Sequence, residues 1–499
     1  MSRINTNVPS QIAKRNLNEN NKTLNTTLER LSTGLRINRG KDDPAGLIAS
    51  ENLRAEKSAL GAAISNAERA DQLVNIAEGG LQELSGLLTE LRGLVTSTAN
   101  SAGLSGEEKQ ANQLQIDSII QTIDRLSEAT NFQGVKLLNG NLDFTATGVN
   151  AAVTDFKINS AKLNGANQSV TTAQTASAQR GALLIDFSAA TINTTGGALF
   201  TLEIGGATGS REFAFGSGTT VAQAITAINQ FKDVLGLSAS ANSTSGIVLQ
   251  TTEFGSDQFV QARVVNVAGV AGASFIQGTA TDADDFTGTT TAIATSALVR
   301  DTGRDIAGSI NGILATGKGR TLKVANDFLD VEITLSAAQA TAAPGTLNAL
   351  TITGGGADFQ LASNVDLNGR VSIGIQNVSS RKLGNTTVGF LSDLASGKEN
   401  NVVGGNLLKA AKIVEESIRQ VSSLRGRLGA FQKNVVGATI RNLGISLENS
   451  SAAESVIRDA DFATETATLT RGQILSQAAG NSLGLANQQP QSALQLLRG

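Results

Sequence analysis

Histidine, cysteine, tryptophan and tyrosine are all absent from the 499 residues. Without cysteine there is no disulfide and no thiolate metal site. Without histidine the chain lacks the commonest metal ligand and the usual general base near neutral pH. Ser-His and Cys-His nucleophiles are therefore impossible. Aromatic residues are 3% of the chain, all phenylalanine, which is poor material for a ligand pocket or for stacking bases. Proline occurs four times, and Pro9, Pro44 and Pro490 lie towards the ends. No run approaches the roughly 18 apolar residues of a membrane-spanning helix, so no membrane span is expected. The opening MSRINTNVPSQIAKRNL lacks the apolar core of a secretory signal peptide. A formal net charge of −3 points to no polyanionic partner, nucleic acid included. These absences disfavour an enzyme, and no catalytic, cofactor or metal residue is expected.

What is present falls into three zones. Residues 1–140 and about 400–499 carry Leu, Ile, Ala, Asn and Gln at helical spacing, whereas about 145–395 is rich in Thr, Ala and Gly. The expected class is mainly α at paired N- and C-terminal ends, a long coiled coil or helical bundle, with an inserted β-rich α+β region. At roughly 100–200 residues per domain the chain is multidomain.

The clearest periodic signal is Leu60, Ala63, Ala67, Ala70, Val74, Ala77, Leu81, Leu84, Leu88, Leu91 and Val95. Its steps of three and four continue without a break, the pattern of a heptad seam. A second seam runs Leu407, Ala410, Val414, Ser417, Val421, Leu424, Leu428, Phe431, Val435, Ala438, Asn442 and Ile445. Asn442 within it would fix register at a cost in stability. Gly79-Gly80 lies within the span of the first seam, costs about 1 kcal/mol per glycine relative to Ala, and requires packing to hold the helix. A shorter helix is expected over about 108–128, with Ile116, Ile119, Ile123 and Leu126 on one face.

The extremities keep the rhythm more weakly. Leu17, Asn21, Leu24, Leu28, Leu31 and Leu35 form one stripe, and Val456, Ala460, Ala463, Ala467 and Ile474 another. Stripes this thin leave isolated helices marginal in water. Both ends are expected to be poorly ordered in a free monomer and to fold on association. In the middle, FTLEIGG (200–206), GIVLQ (246–250), FVQARVV (259–265), TLKV (321–324) and VEITL (331–335) read as strands, with one helix through Val221, Ile225 and Ile228. A hairpin is expected where FQL (359–361) and RVSIGIQ (370–376) flank Asn368-Gly369.

One segment imitates a nucleotide site. Gly34 to Lys41 approaches a phosphate-binding loop, but five residues separate Gly34 from Gly40 and Asp42 stands where Ser or Thr would hold magnesium. Asp42 and Asp43 would repel phosphate. Asp42-Asp43-Pro44 instead fits a helix start with proline in the first turn. DADF (459–462) offers a second carboxylate pair with the same reading, and no calcium-loop spacing accompanies either.

Two long segments carry a resemblance. INTNVPSQIAKRNL with LERLSTGLRINRGKDDPAGLIASENLR resembles the N-terminal signature of the bacterial flagellins. IRDADFATETATLTRGQILSQAAGNSLGLANQQPQSALQLLRG resembles their C-terminal signature, and TIDRLSEATNFQGVKLLNG (122–140) a third flagellin segment. The 198–265 region resembles a small αβ insertion module found in some flagellins and hook-associated proteins.

The resemblance implies a self-assembling structural subunit of the extracellular flagellar filament, used for swimming. It implies an inner coiled-coil domain of 1–44 with 456–499, and a rod-like helical domain with a β-hairpin from 45–175 with 356–455. It also implies an outer β-rich insertion of 176–355 that includes the αβ module. The rod seam would use Leu81, Leu84, Leu88, Leu91, Leu424, Leu428, Phe431 and Val435. Gly34, Arg36, Arg39, Lys41, Asp42, Asp43 and Pro44 would form an inter-domain spoke, leaving its basic residues for acidic groups on neighbouring subunits. Implied partners are copies of the chain, a filament cap, junction proteins and an export chaperone at the C-terminal segment. Implied export is through the flagellar type III apparatus without a cleaved signal peptide. Many flagellins carry Arg-x-Arg-Glu-Leu, which a vertebrate Toll-like receptor recognises. Here Arg92 and Leu94 match, while Glu90 and Gly93 depart from it, so strong activation is not expected. The alternatives are a hook–filament junction protein, or a filament-anchored adhesin or glycan-binding module in the insertion.

Overall fold

The structure, a computed structural model, describes residues 6–100, 103–242, 245–270, 273–278, 286, 290–294 and 298–496, with side chains to Gln489. Residues 1–5 and 497–499 of the expected inner domain lie outside the described residues. In chain order the helices are α1 (Val8–Thr33), α2 (Pro44–Thr98), α3 (Gly106–Ala129), α4 (Val221–Asn229), α5 (Lys232–Leu235), α6 (Ala337–Thr341), α7 (Leu407–Ala430), α8 (Gly437–Arg458) and α9 (Phe462–Leu496). Two compact units result: one holds residues up to Gln72, Phe359–Arg370 and those from Ala430 on, the other Leu73–Asp358 and Val371–Gly429.

Helix α2 contributes to both units and realises the first seam in full. All eleven positions from Leu60 to Val95 are at most 4% exposed. At about 2 kcal/mol or more for each fully buried leucine, this stripe offsets the two helix-interior glycines. Gly80 also has a positive role. A Cβ there would sit 2.8 Å from Thr130 Oγ1 and 2.9 Å from Leu138 Cδ1, whereas one on Gly79 would meet nothing within 4 Å. Gly80 thus lets the turn after α3 approach the helix backbone.

Helix α3 starts with a capping box between Ser105 and Glu108 and buries Ile116, Ile119, Ile120 and Ile123, with Leu126 half-buried. Its buried Gln113 is fully used: the amide donates to Leu394 O at 2.9 Å and accepts from Val402 N at 2.9 Å. Asp124 accepts from both the backbone and the hydroxyl of Ser380, at 2.7 and 2.8 Å.

The second seam holds to Phe431 and then departs from expectation. Ala410, Val414, Ser417, Val421, Leu424, Leu428 and Phe431 are buried. Phe431–Val436 is a π-helical turn, in which Gly437 N donates to Gln432 O. A π-turn adds one residue to the helix circuit. The buried stripe therefore moves by one position, to Val436, half-buried Ile440, buried Leu443 and half-buried Leu447. Val435 is only half-buried, and Asn442 and Ile445 face solvent, so Val435 is displaced from the seam and Asn442 fixes no register within it. Leu443 packs instead with Leu60, Ala63, Ile64 and Leu447.

The second unit also carries the β-rich insertion. An eight-stranded antiparallel sheet has the order Phe144–Thr147, Gly345–Gly355, Gln168–Ala176, Ala307–Ile310, Ile313–Lys318, Thr321–Ala325, Leu329–Leu335, Val153–Ala161. Alternate residues such as Leu329, Val331, Ile333 and Leu335 point into its core. This sheet pairs residues 144–176 with 307–355, so the boundaries expected at 175/176 and 355/356 cut across one hydrogen-bonded layer. A separate core gathers around Phe200, Leu202, Ile204, Phe213, Ile228 and Phe275. It is built from a five-stranded and a four-stranded sheet between Ala182 and Thr302 together with α4. Thr220 and Gln223 form the capping box that starts α4.

The expected hairpin forms, with Ala357–Gln360 paired to Arg370–Ile373, but Asn368-Gly369 is not a tight two-residue turn. Gly369 has no positive φ, and its N–H is taken by Asp366 Oδ1 at 2.6 Å. Leu361 N donates to Gly369 O at 2.9 Å, closing a longer loop.

Candidate functional site in the joint of the chain ends

The segment LSTGLRINRGKDDPAG lies within the first unit and folds as a joint. Helix α1 begins at Asn7, whose side chain accepts from Ser10 N, and ends at Gly34 in the left-handed region (φ 74°), where Gly34 N donates to Arg30 O. The chain then pairs with the far end of the sequence. Leu35 bridges Asp459 in antiparallel fashion. Arg36 N donates to Arg458 O at 2.7 Å, and Ala460 N to Gly34 O at 2.9 Å. Ile37, 1% exposed, anchors the strand-like stretch.

The carboxylates act as caps. Asp42 Oδ2 accepts from Arg39 N at 2.9 Å and Asn38 N at 3.2 Å. The first of these bonds is the main reason its carboxyl is held below the usual range. Asp43 Oδ1 accepts from Gly46 N at 2.9 Å, and Pro44 opens α2. Gly46 leaves room for the cap: a Cβ there would lie 2.4 Å from Asp43 Oδ2 and 2.7 Å from Ile37 Cδ1 and would displace the capping carboxylate. Gly40 has no positive φ and no such crowding. In DADF, Asp459 carries the bridge to Leu35. Asp461 caps α9 through the hydroxyl and N–H of Thr464 and the N–H of Ala463, which hold its carboxyl low.

The basic residues are partly committed inside the chain. The Arg36 guanidinium donates twice to Ile457 O, at 2.6 and 3.2 Å. Arg39 pairs with Glu29 at 2.7 Å. Both side chains nevertheless stay exposed, and the return of residues 457–460 supplies the acceptor that Arg36 uses within the chain. Lys41 is exposed beside Asp42. The sequence reading missed Ile37 and Gly46; an isoleucine between polar residues and a glycine three after an N-cap aspartate were the available signals.

From this joint α1 and α9 run antiparallel. Arg30 pairs with Glu465 at 3.0 Å, Asn20 Nδ2 donates to Leu475 O, Ser476 Oγ to Asn21 Oδ1, and Asn7 Nδ2 to Ala486 O. The covered stripe of α1 is Ser10, Ala13, Leu17, Asn20, Leu24, Thr27 and Leu31. That of α9 is Glu465, Leu469, Gly472, Ser476, Ala479, Leu483 and Ala486. Leu24 packs beside Gly472, where a Cβ would make an ordinary 3.5 Å contact with Leu24 Cδ1.

The covered residues are thus mostly small or polar. Of the stripe expected at the C-terminal end, Val456 on α8 is 81% exposed and Ile474 on α9 62%, with Ala463 and Ala467 also exposed and Ala460 half-buried. On α1, Val8, Ile12 and Leu28 are each close to half exposed. Arg92 lies exposed on α2 with Leu94 half-buried. Among the described residues no helix is long and apolar enough to cross a membrane, and no group of three or more acidic residues is placed to hold a metal.

Comparison with known proteins bears on this architecture. The bacterial flagellin N-terminal helical region matches residues 4–143, the C-terminal helical region 411–497, and the flagellin hook IN motif 200–253. A flagellin from Salmonella rubislaw is 31% identical over 99% of both chains. The chain belongs to the flagellin family. The B-type flagellin of Pseudomonas aeruginosa is likewise 31% identical across 99% of each chain. Among solved structures, FliC from Burkholderia pseudomallei is 15% identical and covers 73% of this chain and 99% of its own, with a TM-score of 0.23, too low to carry an argument. Family membership over the whole length makes the chain a structural subunit of the flagellar filament, and the junction-protein and adhesin alternatives are not favoured.

Proposed function

We propose that copies of this chain join through the outward faces of α1 and α9, and that the joint at 34–46 with 457–461 sets the geometry of those faces. The observation that carries this is the inversion of α9. Mostly small and polar residues, with Leu469 and Leu483, face α1, while Phe462, Ile474 and Leu485 face solvent. Exposed apolar residues repeated along two paired helices need a cover, and a head-to-tail contact that does not close produces an open helical filament.

On this reading residues 1–44 with 456–499 form the inner domain lining a channel, and the β-rich insertion projects outward. The C-terminal segment meets an export chaperone before assembly, export proceeds without a cleaved signal peptide, and a cap receives subunits at the growing end. Lys41 and the solvent-facing edges of Arg36 and Arg39 meet acidic groups of adjacent copies. The role is mechanical, without catalysis. Glu90 and Gly93 weaken recognition at the Arg92–Leu94 patch; full potency of purified monomer in a receptor-reporter assay would reject that point.

The test is polymerisation. A chain shortened by α1 and α9 is expected to remain in the supernatant when seeded with filament fragments, while the full chain sediments. Sedimentation of the shortened chain with the seeds would overturn the reading.

A further inference from the structure

The sequence contains four Asn-Gly pairs: 139–140, 164–165, 311–312 and 368–369. The peptide nitrogen of a glycine after asparagine can attack the asparagine side-chain carbon, because glycine leaves the approach unhindered. The structure treats the four pairs differently.

Three of them are restrained. Asn311 uses both amide atoms, donating to Ser169 O at 3.0 Å and accepting from Thr171 N at 2.8 Å. At 368–369 the attacking nitrogen is occupied, since Gly369 N donates to Asp366 Oδ1 at 2.6 Å. Asn139 is half-buried and its Oδ1 accepts from Asn141 N at 3.1 Å, while Asn377 packs against Gly140. Asn164-Gly165 lies on the exposed connection between strands Val153–Ala161 and Gln168–Ala176. Neither the Asn164 amide nor the Gly165 N–H has a partner among the described residues, and the space beside Gly165 is open.

We propose that Asn164 is a site of spontaneous covalent modification by deamidation, selected by the fold over the other three Asn-Gly pairs. Gly165 N forms a bond to Asn164 Cγ, the bond from Cγ to the side-chain nitrogen breaks, and ammonia leaves with the proton given up by Gly165 N. Water then opens the cyclic imide at either of its two carbonyls. One route gives aspartate, and the other gives isoaspartate with the main chain passing through Cβ. Each event adds one negative charge at this turn. Attack requires a deprotonated peptide nitrogen, so the reaction accelerates with pH.

The test is peptide mapping of the full-length chain during incubation at neutral and mildly alkaline pH. The peptide holding Asn164 is expected to gain about 1 Da, as side-chain amide becomes carboxyl. It should appear as two chromatographic forms, severalfold sooner than any other Asn-Gly peptide. Asn164→Gln should remove these early products without altering the melting temperature. In denaturant the four sites should converge, because protection by the fold is gone. Two results would overturn the proposal: Asn311 or Asn368 reacting as fast as Asn164 in the folded chain, or the same lead for Asn164 in the denatured chain.

Discussion

Helix α2 buries every position of its Leu60–Val95 stripe, whereas α1 buries only Thr27. Both sequences carry the same three-and-four rhythm. In α2 the rhythm marks the face that the chain itself covers. In α1 the leucines Leu17, Leu24 and Leu31 are half-buried and only Leu28 of the leucine rhythm lies open, while in α9 Ile474 and Leu485 lie open. The single chain thus leaves part of the pair's apolar surface uncovered, and hydrogen bonds from Asn7, Asn20 and Ser476 help hold the pair. Apolar periodicity reports that a helix has a face to bury; it does not say whether the cover comes from the same chain or from another copy.

The sharpest way to break this contrast is a pair of truncations. Leu84→Ala, at a fully buried position, should lower stability by about 2–5 kcal/mol in urea unfolding, the range for buried leucine. Leu28→Ala, at 46% exposure, should change monomer stability by less than about 0.5 kcal/mol, as surface changes do. Equal losses would erase the distinction between the two stripes.

Next come the adjacent glycines. Gly80→Ala forces Thr130 and Leu138 away and should destabilise by about 1–3 kcal/mol, as overpacking does. Gly79→Ala, in open space, should stabilise by about 0.5–1 kcal/mol through helix propensity. Thermal melts of the two variants should move in opposite directions.

Acidity supplies a third contrast. Asp143 in the second unit is pushed from the ordinary 3.8 up to about 6, mainly by burial. Between these values the folded chain holds a proton that the unfolded chain releases, so this contribution is greatest below 3.8 and is lost as pH rises through about 6. Asp143→Asn should flatten that slope and raise stability at neutral pH by about 1–2 kcal/mol, less than the full shift because the Arg427 charge then loses a neighbour. The capping Asp42 and Asp461 run the other way. Their carboxyls are held low, so their contribution is present at neutral pH and is lost as pH falls through their folded values. Unfolding followed with and without Asp143→Asn separates the two signs when the pH series is carried from neutral to well below 3.8. The Asp143 slope lies between 3.8 and about 6, and the capping losses lie below 3.8.

A smaller effect is expected at the joint. Arg36→Ala removes two hydrogen bonds to Ile457 O and should cost about 1 kcal/mol. Faster amide exchange at Arg36 and Ala460 should accompany it, since their N–H groups form the bridge.

Much of this is legible in the sequence. The first seam, helix α3, the strands at 200–206, 246–251, 259–266, 321–325 and 329–335, and the N-cap at Asp43-Pro44 all follow from spacing and residue chemistry. Three features did not. The π-turn at Phe431–Val436 shifts the stripe by one residue without a compositional mark, because FQKNVV suits an α-helix equally well. The bridge of Arg36 to Ile457 joins residues 421 positions apart, beyond any local signal. The 144–176 strands join 307–355 through pairing across a long insertion, which alternation within each strand cannot reveal.

The central claim is that the outward faces of α1 and α9 serve assembly and not the stability of the single chain. Its most direct test is the full-length triple variant Ile12→Gln, Leu28→Gln, Ile474→Gln, measured by thermal unfolding and by seeded polymerisation in one experiment. These three side chains are 46%, 46% and 62% exposed, so unfolding should move by less than about 1 kcal/mol, while sedimentable filament is lost. Normal filament yield from the triple variant, or a collapse of monomer stability, would contradict the account.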